Sequence, residues 1–207
     1  MKDIVKISTS IENFKPLEVF LASISHILIC ICGITATKAV VLDKLLPFGL
    51  SMIAGCSLTY TPACAIGVFI GYFIPAVGNG AFKYLAGLFA ILSIKLLLSS
   101  YKKLVSNPLF LSLITMLTSF LTSAVSLKGM GGNMIDVLSE SLLATIGTFF
   151  FNRCFKLLSK TNAGLSPDEL ATLLIVINIL LLGLSGANLF GVSLGKLTSR
   201  IVDESDR

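Results

Sequence analysis

The sequence predicts an all-α fold, a polytopic membrane bundle of about seven helical spans (six to eight). Three observations carry that class. First, the chain is 55% hydrophobic and only 13% charged, roughly half the charge of about 25% that soluble domains carry. Second, the charges are spaced unevenly. Runs of 19, 38, 24 and 26 uncharged residues lie between Glu18 and Lys38, Lys44 and Lys83, Lys103 and Lys128, and Glu169 and Lys196. Third, crossing a hydrocarbon core of about 30 Å takes about 20 apolar helical residues. No soluble core explains four such runs. The organisation is a polar lead over residues 1–17, a transmembrane bundle over 18–186, and an amphipathic segment with a charged tail over 187–207.

The lead carries one amphipathic turn near Ile11 and Phe14, and the first span runs from Val19 to Ala36. After the loop beginning at Thr37, Pro47 opens the second span. The stretch from Leu45 to Phe82 is too long for one helix, because at about 1.5 Å per residue it would reach about 57 Å. "TYTPA" at 59–63 is the break, since Pro62 cannot donate into a helix interior and disfavours helix before it. A short second span over 47–59 and a third over 63–78 result. The turn "VGNGAF" leads to a fourth span at 82–99, and "SYKKLVSNP" to a fifth at 108–127. After the glycine-rich "GMGGN" at 129–133 comes the sixth, 134–158. Asp136 and Glu140 enter it and Arg153, Lys156 and Lys160 leave it, complementing the helix dipole. Only 12 uncharged residues separate Glu140 from Arg153, which suggests a short, tilted or half-buried helix.

The seventh span, 167–185, opens on a capping signature. Ser166 precedes Pro167, and Glu169 stands three residues after Ser166, the spacing of a capping box. Asp168 and Glu169 favour the positive end of the helix dipole and read as a helix cap rather than a catalytic acid pair. Beyond it, Phe190, Leu194, Leu197 and Ile201 repeat at helical spacing, with Lys196 and Arg200 opposite. This pattern suits an interfacial or unfinished eighth helix. Ala63, Gly67 and Gly71 stand four apart, a spacing that lets helices approach closely in lipid. Internal packing is the simpler reading, with self-association the other.

The residues also exclude chemistry. The net charge of +5 is scattered at segment ends, with no basic stripe of the kind a nucleic-acid site needs. Lys95 interrupts an apolar run and reads as snorkelling toward Lys102 and Lys103. Cys30, Cys32, Cys56, Cys64 and Cys154 form no C-x-x-C pair and read as small apolar residues. With His26, the C-x-C of Cys30 and Cys32 is only a weak metal-ligand signal, and no cofactor is implied. "GMGGN" is no phosphate loop, there is no H-E-x-x-H or G-x-S-x-G, and intramembrane carboxylates are nearly missing. Lys2, Lys6 and Lys15, with the basic residues after the fourth and sixth spans, outnumber those on the other side, favouring a cytoplasmic N-terminus. The lipid bilayer is the one partner implied directly.

Several stretches carry a resemblance in shared order. "TKAVVLDKLLPFGLSMIAG" (37–55), with Pro47, Phe48 and Gly49, resembles a line in the N-terminal membrane region of the stage II sporulation protein E family. "AIGVFIGYFIPAVGNGAFKYLAGLFAIL" (65–92) is similar to the region after it, and Glu140 with its helix is similar to the family's next helix. "LSPDELATLLIVINILLLGLSG", with Glu169, and "LFGVSLGKLTSRIV" resemble the two segments behind that helix. The likeness covers about residues 35–202. It implies about ten spans in family members, a central region that self-associates and engages the tubulin-like division protein, and a cytoplasmic metal-dependent serine phosphatase. That phosphatase acts on an anti-anti-sigma factor and so releases the forespore sigma factor. This sequence lacks the phosphatase's metal-binding Asp-Gly motifs and stops after about seven spans, as a fragment or shortened relative would. The resemblance therefore implies anchoring and localisation at the sporulation septum, with the division machinery engaged through other regions and no catalysis here. The competing reading is a small transporter or the substrate-binding membrane subunit of a vitamin importer, with "TYTPA" and "GMGGN" lining a cavity.

Overall fold

A computed structural model describes residue 20 and residues 22–42, 45–73, 81–130, 133–158, 165–186, 188–189 and 192–193. Among them are eight helices. These are α1 (Ala22–Lys38), α2 (Phe48–Gly55), α3 (Thr61–Phe73), α4 (Ala81–Leu97), α5 (Lys102–Val105), α6 (Pro108–Met130), α7 (Met134–Leu158) and α8 (Pro167–Gly186). The chain is an all-α bundle. Helices α6, α7 and α8 are long and apolar enough to cross a membrane, and α1 and α3 are shorter apolar helices.

Side-chain neighbours fix the directions. Gly33 of α1 packs on Cys64 and Val68 of α3, and Gly71 packs on Ile34 and Thr37, so the two helices run parallel. His26 and Tyr60 meet edge to face at 5.2 Å near the start of α1, here the near end. Thr37, Gly49 and Tyr72 mark the far end. Helices α2, α4 and α7 run from far to near, and α1, α3, α6 and α8 from near to far. Seven segments thus alternate, with α5 a single turn joining α4 to α6.

Helix α2 occupies the middle. All eight of its residues are buried. At about 1.5 Å per residue it is about 12 Å long, too short to be stable alone, so its neighbours hold it. Helix α7 is its main support. Ser51 and Gly55, one turn apart on α2, face Ala144, Gly147 and Thr148. The Ser51 hydroxyl lies 2.9 Å from the carbonyl oxygens of both Pro47 and Ala144. A Cβ on Gly55 would come within 2.8 Å of the Asn152 nitrogen, and one on Gly147 within 2.8 Å of the Ser51 hydroxyl. Small residues bring the backbones together because lipid provides little hydrophobic drive between helices. Leu50, Met52, Ile53, Leu88, Ile91 and Phe151 complete the core around this seam.

Helix α2 ends earlier than the sequence suggests, at Gly55 and not near Thr59. Cys56 leaves it in extended conformation, and the Ser57 carbonyl accepts from Tyr60 N–H and from the Thr61 hydroxyl in a tight turn. Pro62 then falls in the first turn of α3, where its missing N–H costs nothing. The sixth segment keeps its expected bounds, Met134–Leu158, and is partly buried, but it is one continuous helix of 25 residues rather than a short one, since Glu140 pairs with Lys83 inside the bundle rather than standing at its mouth.

After α8, Asn188 pairs with Ser193 and Leu189 with Val192 in a short antiparallel ladder, so these four residues are not helical. Phe190 and the rest of the expected amphipathic segment lie outside the described residues. Residues 1–17 with Ile11 and Phe14, residues 74–78 of the third span, Lys160, and Leu194, Lys196, Leu197, Arg200 and Ile201 lie outside the described residues.

Candidate functional site: the polar ends of the buried helix

The far end of α2 is held by two tyrosines. Val41 and Leu45 exchange both backbone hydrogen bonds at 2.9 Å, closing a turn in which Leu42 takes φ 51°. That turn delivers Leu46 to the bundle interior. The Tyr72 hydroxyl donates to the Leu46 carbonyl at 3.1 Å, and the Leu46 N–H donates to the Tyr84 hydroxyl at 3.2 Å. The two rings stack at 4.9 Å. Both backbone polar groups of the buried Leu46 are thereby satisfied outside any helix, as a low-dielectric interior requires.

Beside them, Lys83 of α4 pairs with Glu140 of α7 at 2.8 Å, and the Ser123 hydroxyl of α6 donates to the same carboxylate oxygen at 2.7 Å. The Lys83 ammonium also stands 4.5 Å from the centre of the Tyr84 ring. Glu140 is 1% exposed. The Tyr84 hydroxyl interacts with its carboxyl, yet Oε1 has no hydrogen-bond partner. One buried carboxylate therefore lies within a candidate span, whereas the sequence alone places Glu140 at the mouth of the helix. Its pairing joins three helices at one point. Removing either partner would strand the other's charge, which is far costlier than the pair itself is favourable.

The near end is closed differently. The last carbonyls of any helix lack intrahelical donors, and those of α2 end inside protein. Lys95, 2% exposed, donates to the carbonyl oxygens of Ile53 at 2.8 Å and Cys56 at 2.6 Å. Asn152 Nδ2 donates to Gly55 O at 3.2 Å. A cation is favourable at the negative end of a helix dipole. Lys95 thus turns inward to cap α2 and does not snorkel toward Lys102 and Lys103; two otherwise unsatisfied carbonyls outweigh the pull of the surface. Cys56 and Cys64 are both buried in the core cluster beside this cap.

A half-open, apolar cavity of about 650 Å³ adjoins the near end, between α1, the end of α2, α7 and α8; Cys32, Cys56, Tyr60, Asn152, Cys154 and Val176 line it. Of the two irregular stretches of the transporter reading, "TYTPA" contributes Tyr60 to this lining; Gly131 and Gly132 of "GMGGN" lie outside the described residues.

Other residues marked out by the sequence are placed mainly by packing. Phe48 and Gly49 begin α2 behind Pro47, whose carbonyl accepts from Ser51 N–H. Gly67 lies on Cys30 and Gly71 on Thr37, while Ala63 is only half-buried. Glu169 accepts from Ser166 N–H at 3.1 Å, and the Ser166 hydroxyl accepts from Glu169 N–H at 3.3 Å, at the near end and remote from Glu140. His26 Nδ1 sits 2.7 Å from Ala22 O. Among the described residues no cluster of His, Cys, Asp or Glu suits a metal ion. Sequence reading missed Lys83, Lys95, Tyr72, Tyr84, Ser123 and Asn152 as parts of this site. The one signal for them was that Lys95 and Asn152 are polar residues within apolar runs.

The family model for the SpoIIE N-terminal domain matches residues 2–202. The chain belongs to that family. No curated protein and no solved structure matches it. Within this SpoIIE N-terminal domain, the Pro-Phe-Gly stretch is the start of the buried helix, and Glu140 is the carboxylate at its far end.

Proposed function

We propose that this SpoIIE-type region anchors and localises a sporulation phosphatase at the polar septum, where the phosphatase activates the forespore sigma factor, and that these residues perform no catalysis themselves. The observation that carries the reading is the family match over residues 2–202. The geometry supports it, because the buried polar groups of the bundle are spent mainly on one another. Lys83, Ser123 and Glu140 join α4, α6 and α7, and Lys95 and Asn152 close α2. Such an arrangement holds helices in register.

The N-terminus is assigned to the cytoplasm. Lys102, Lys103, Arg153 and Lys156 belong to the near end, where α1 begins. At the far end Lys83 is taken up by Glu140. Excess basic residues mark the cytoplasmic side. The partners are the lipid bilayer, further copies of the same region, and division machinery engaged through other parts of the protein. Nucleic acid has no place in this reading.

The test is imaging. The chain fused to a fluorescent protein should collect at the polar septum of sporulating cells. Uniform labelling of all membranes would remove the septal role and leave a plain membrane anchor. Diffuse cytoplasmic signal would remove both.

A further inference from the structure

The geometry points to the near-end cavity as a binding site for one anionic membrane phospholipid, with an acyl chain between α1 and α8 and the phosphate beside Lys156. The two helices touch at the far end, where a Cβ on Gly183 would run into the Thr35 carbonyl. Toward the near end they border the cavity instead, with Leu28 and Cys32 on one side and Val176 and Leu180 on the other. The space is a wedge that closes at the far end. Its volume, about 650 Å³, falls in the range of about 300–1,000 Å³ that suits a single small ligand.

Depth, walls and charge select the occupant. At about 1.5 Å per residue, α1 rises about 15 Å from Ala22 to Cys32, and α8 about 20 Å from Pro167 to Leu180. Half of the hydrocarbon core is about 15 Å thick, so the wedge is as deep as one leaflet. Its walls are mainly apolar and continuous with the outer surface. Leu28 is 55% exposed on α1 and Leu158 70% exposed at the end of α7, and both line it. A lipid chain therefore enters from the bilayer without crossing water. Lys156 is the one charged residue among the described residues of the lining, and no carboxylate accompanies it. It stands in the last turn of α7, at the near end. Basic pockets between spans take acidic lipid head groups. A soluble anion would leave the apolar walls uncovered, and a neutral hydrocarbon would gain nothing from the cation. An anionic phospholipid meets both.

The test uses the full chain in nanodiscs of equal phosphatidylglycerol and phosphatidylcholine. Native mass spectrometry then reads which lipids stay bound after release into mild detergent. The expected result is one retained phosphatidylglycerol per chain, not displaced by excess glycerol phosphate. Lys156→Gln should lower the preference for phosphatidylglycerol about fivefold, the effect of one cation near the membrane surface. Val176→Phe puts a ring into the wedge and should abolish retention. Where Val176→Phe fails to fold, the unaltered chain serves instead, through the cysteines. Cys154 lines the cavity and Cys30 does not. Alkylation of Cys154 by N-ethylmaleimide should be slower in phosphatidylglycerol nanodiscs than in phosphatidylcholine ones, with Cys30 unchanged. No retained lipid, equal retention of the two lipids, displacement by glycerol phosphate, an unchanged preference in Lys156→Gln, unchanged retention in Val176→Phe, or equal alkylation of Cys154 in both nanodiscs would each overturn the proposal.

Discussion

The Lys95 ammonium and the Cys56 carbonyl oxygen meet at 2.6 Å, buried at the end of a helix only eight residues long. Through that contact a chain of apolar spans tolerates a broken one. Backbone at membrane depth must be satisfied within the protein, and here a side chain from α4 completes what α2 leaves open. Lys95→Met keeps the apolar stem and removes the donor. It should destabilise the bundle by about 2–4 kcal/mol, the cost of leaving buried carbonyls without partners. Thermal unfolding in detergent measures it, and an unchanged transition would mean that water replaces the cap.

Lys83 and Glu140 lend themselves to a double-mutant cycle. Lys83→Met alone, or Glu140→Leu alone, should cost about 3–5 kcal/mol, because each strands a buried charge. The double substitution should cost clearly less than the sum, since no charge then remains. Additive losses would show that the two groups do not act as a pair.

Gly55→Ala sets two effects of opposite sign against each other. Alanine gains about 1 kcal/mol of helix propensity over glycine. Its Cβ, however, would meet the Asn152 nitrogen and the Phe151 Cβ at 2.8 Å and the Thr148 carbonyl at 2.9 Å. Two of these are backbone atoms of a long helix and cannot swing aside, and overpacking costs about 1–3 kcal/mol. Net destabilisation is expected in the same unfolding assay. Stabilisation would mean that α2 and α7 sit further apart.

Ser166→Ala with Glu169→Ala should loosen only the start of α8, by about 1–2 kcal/mol. Hydrogen exchange at the first turn of α8 should quicken while septal localisation persists. Lost localisation with an intact fold would move Asp168 and Glu169 from a cap to a binding surface.

Much of the fold was legible because its signals are local. The uncharged runs locate the spans, Pro62 places the break before α3, and the Ser166–Glu169 spacing marks the start of α8. The site was not legible, because its contacts are distant in sequence. Lys95 meets Cys56 across 39 residues and Ser51 meets Ala144 across 93. Taken alone, Lys95 in an apolar run is equally consistent with snorkelling, and Glu140 with a helix mouth. Only the neighbours decide.

The most direct test of the central claim, that these helices lie in lipid as a bundle closed around α2, is alkaline carbonate extraction of membranes from cells producing the chain. The account predicts that the chain stays with the sedimented membranes and keeps its helical circular dichroism after detergent solubilisation. Release into the supernatant as a soluble, folded protein would contradict it.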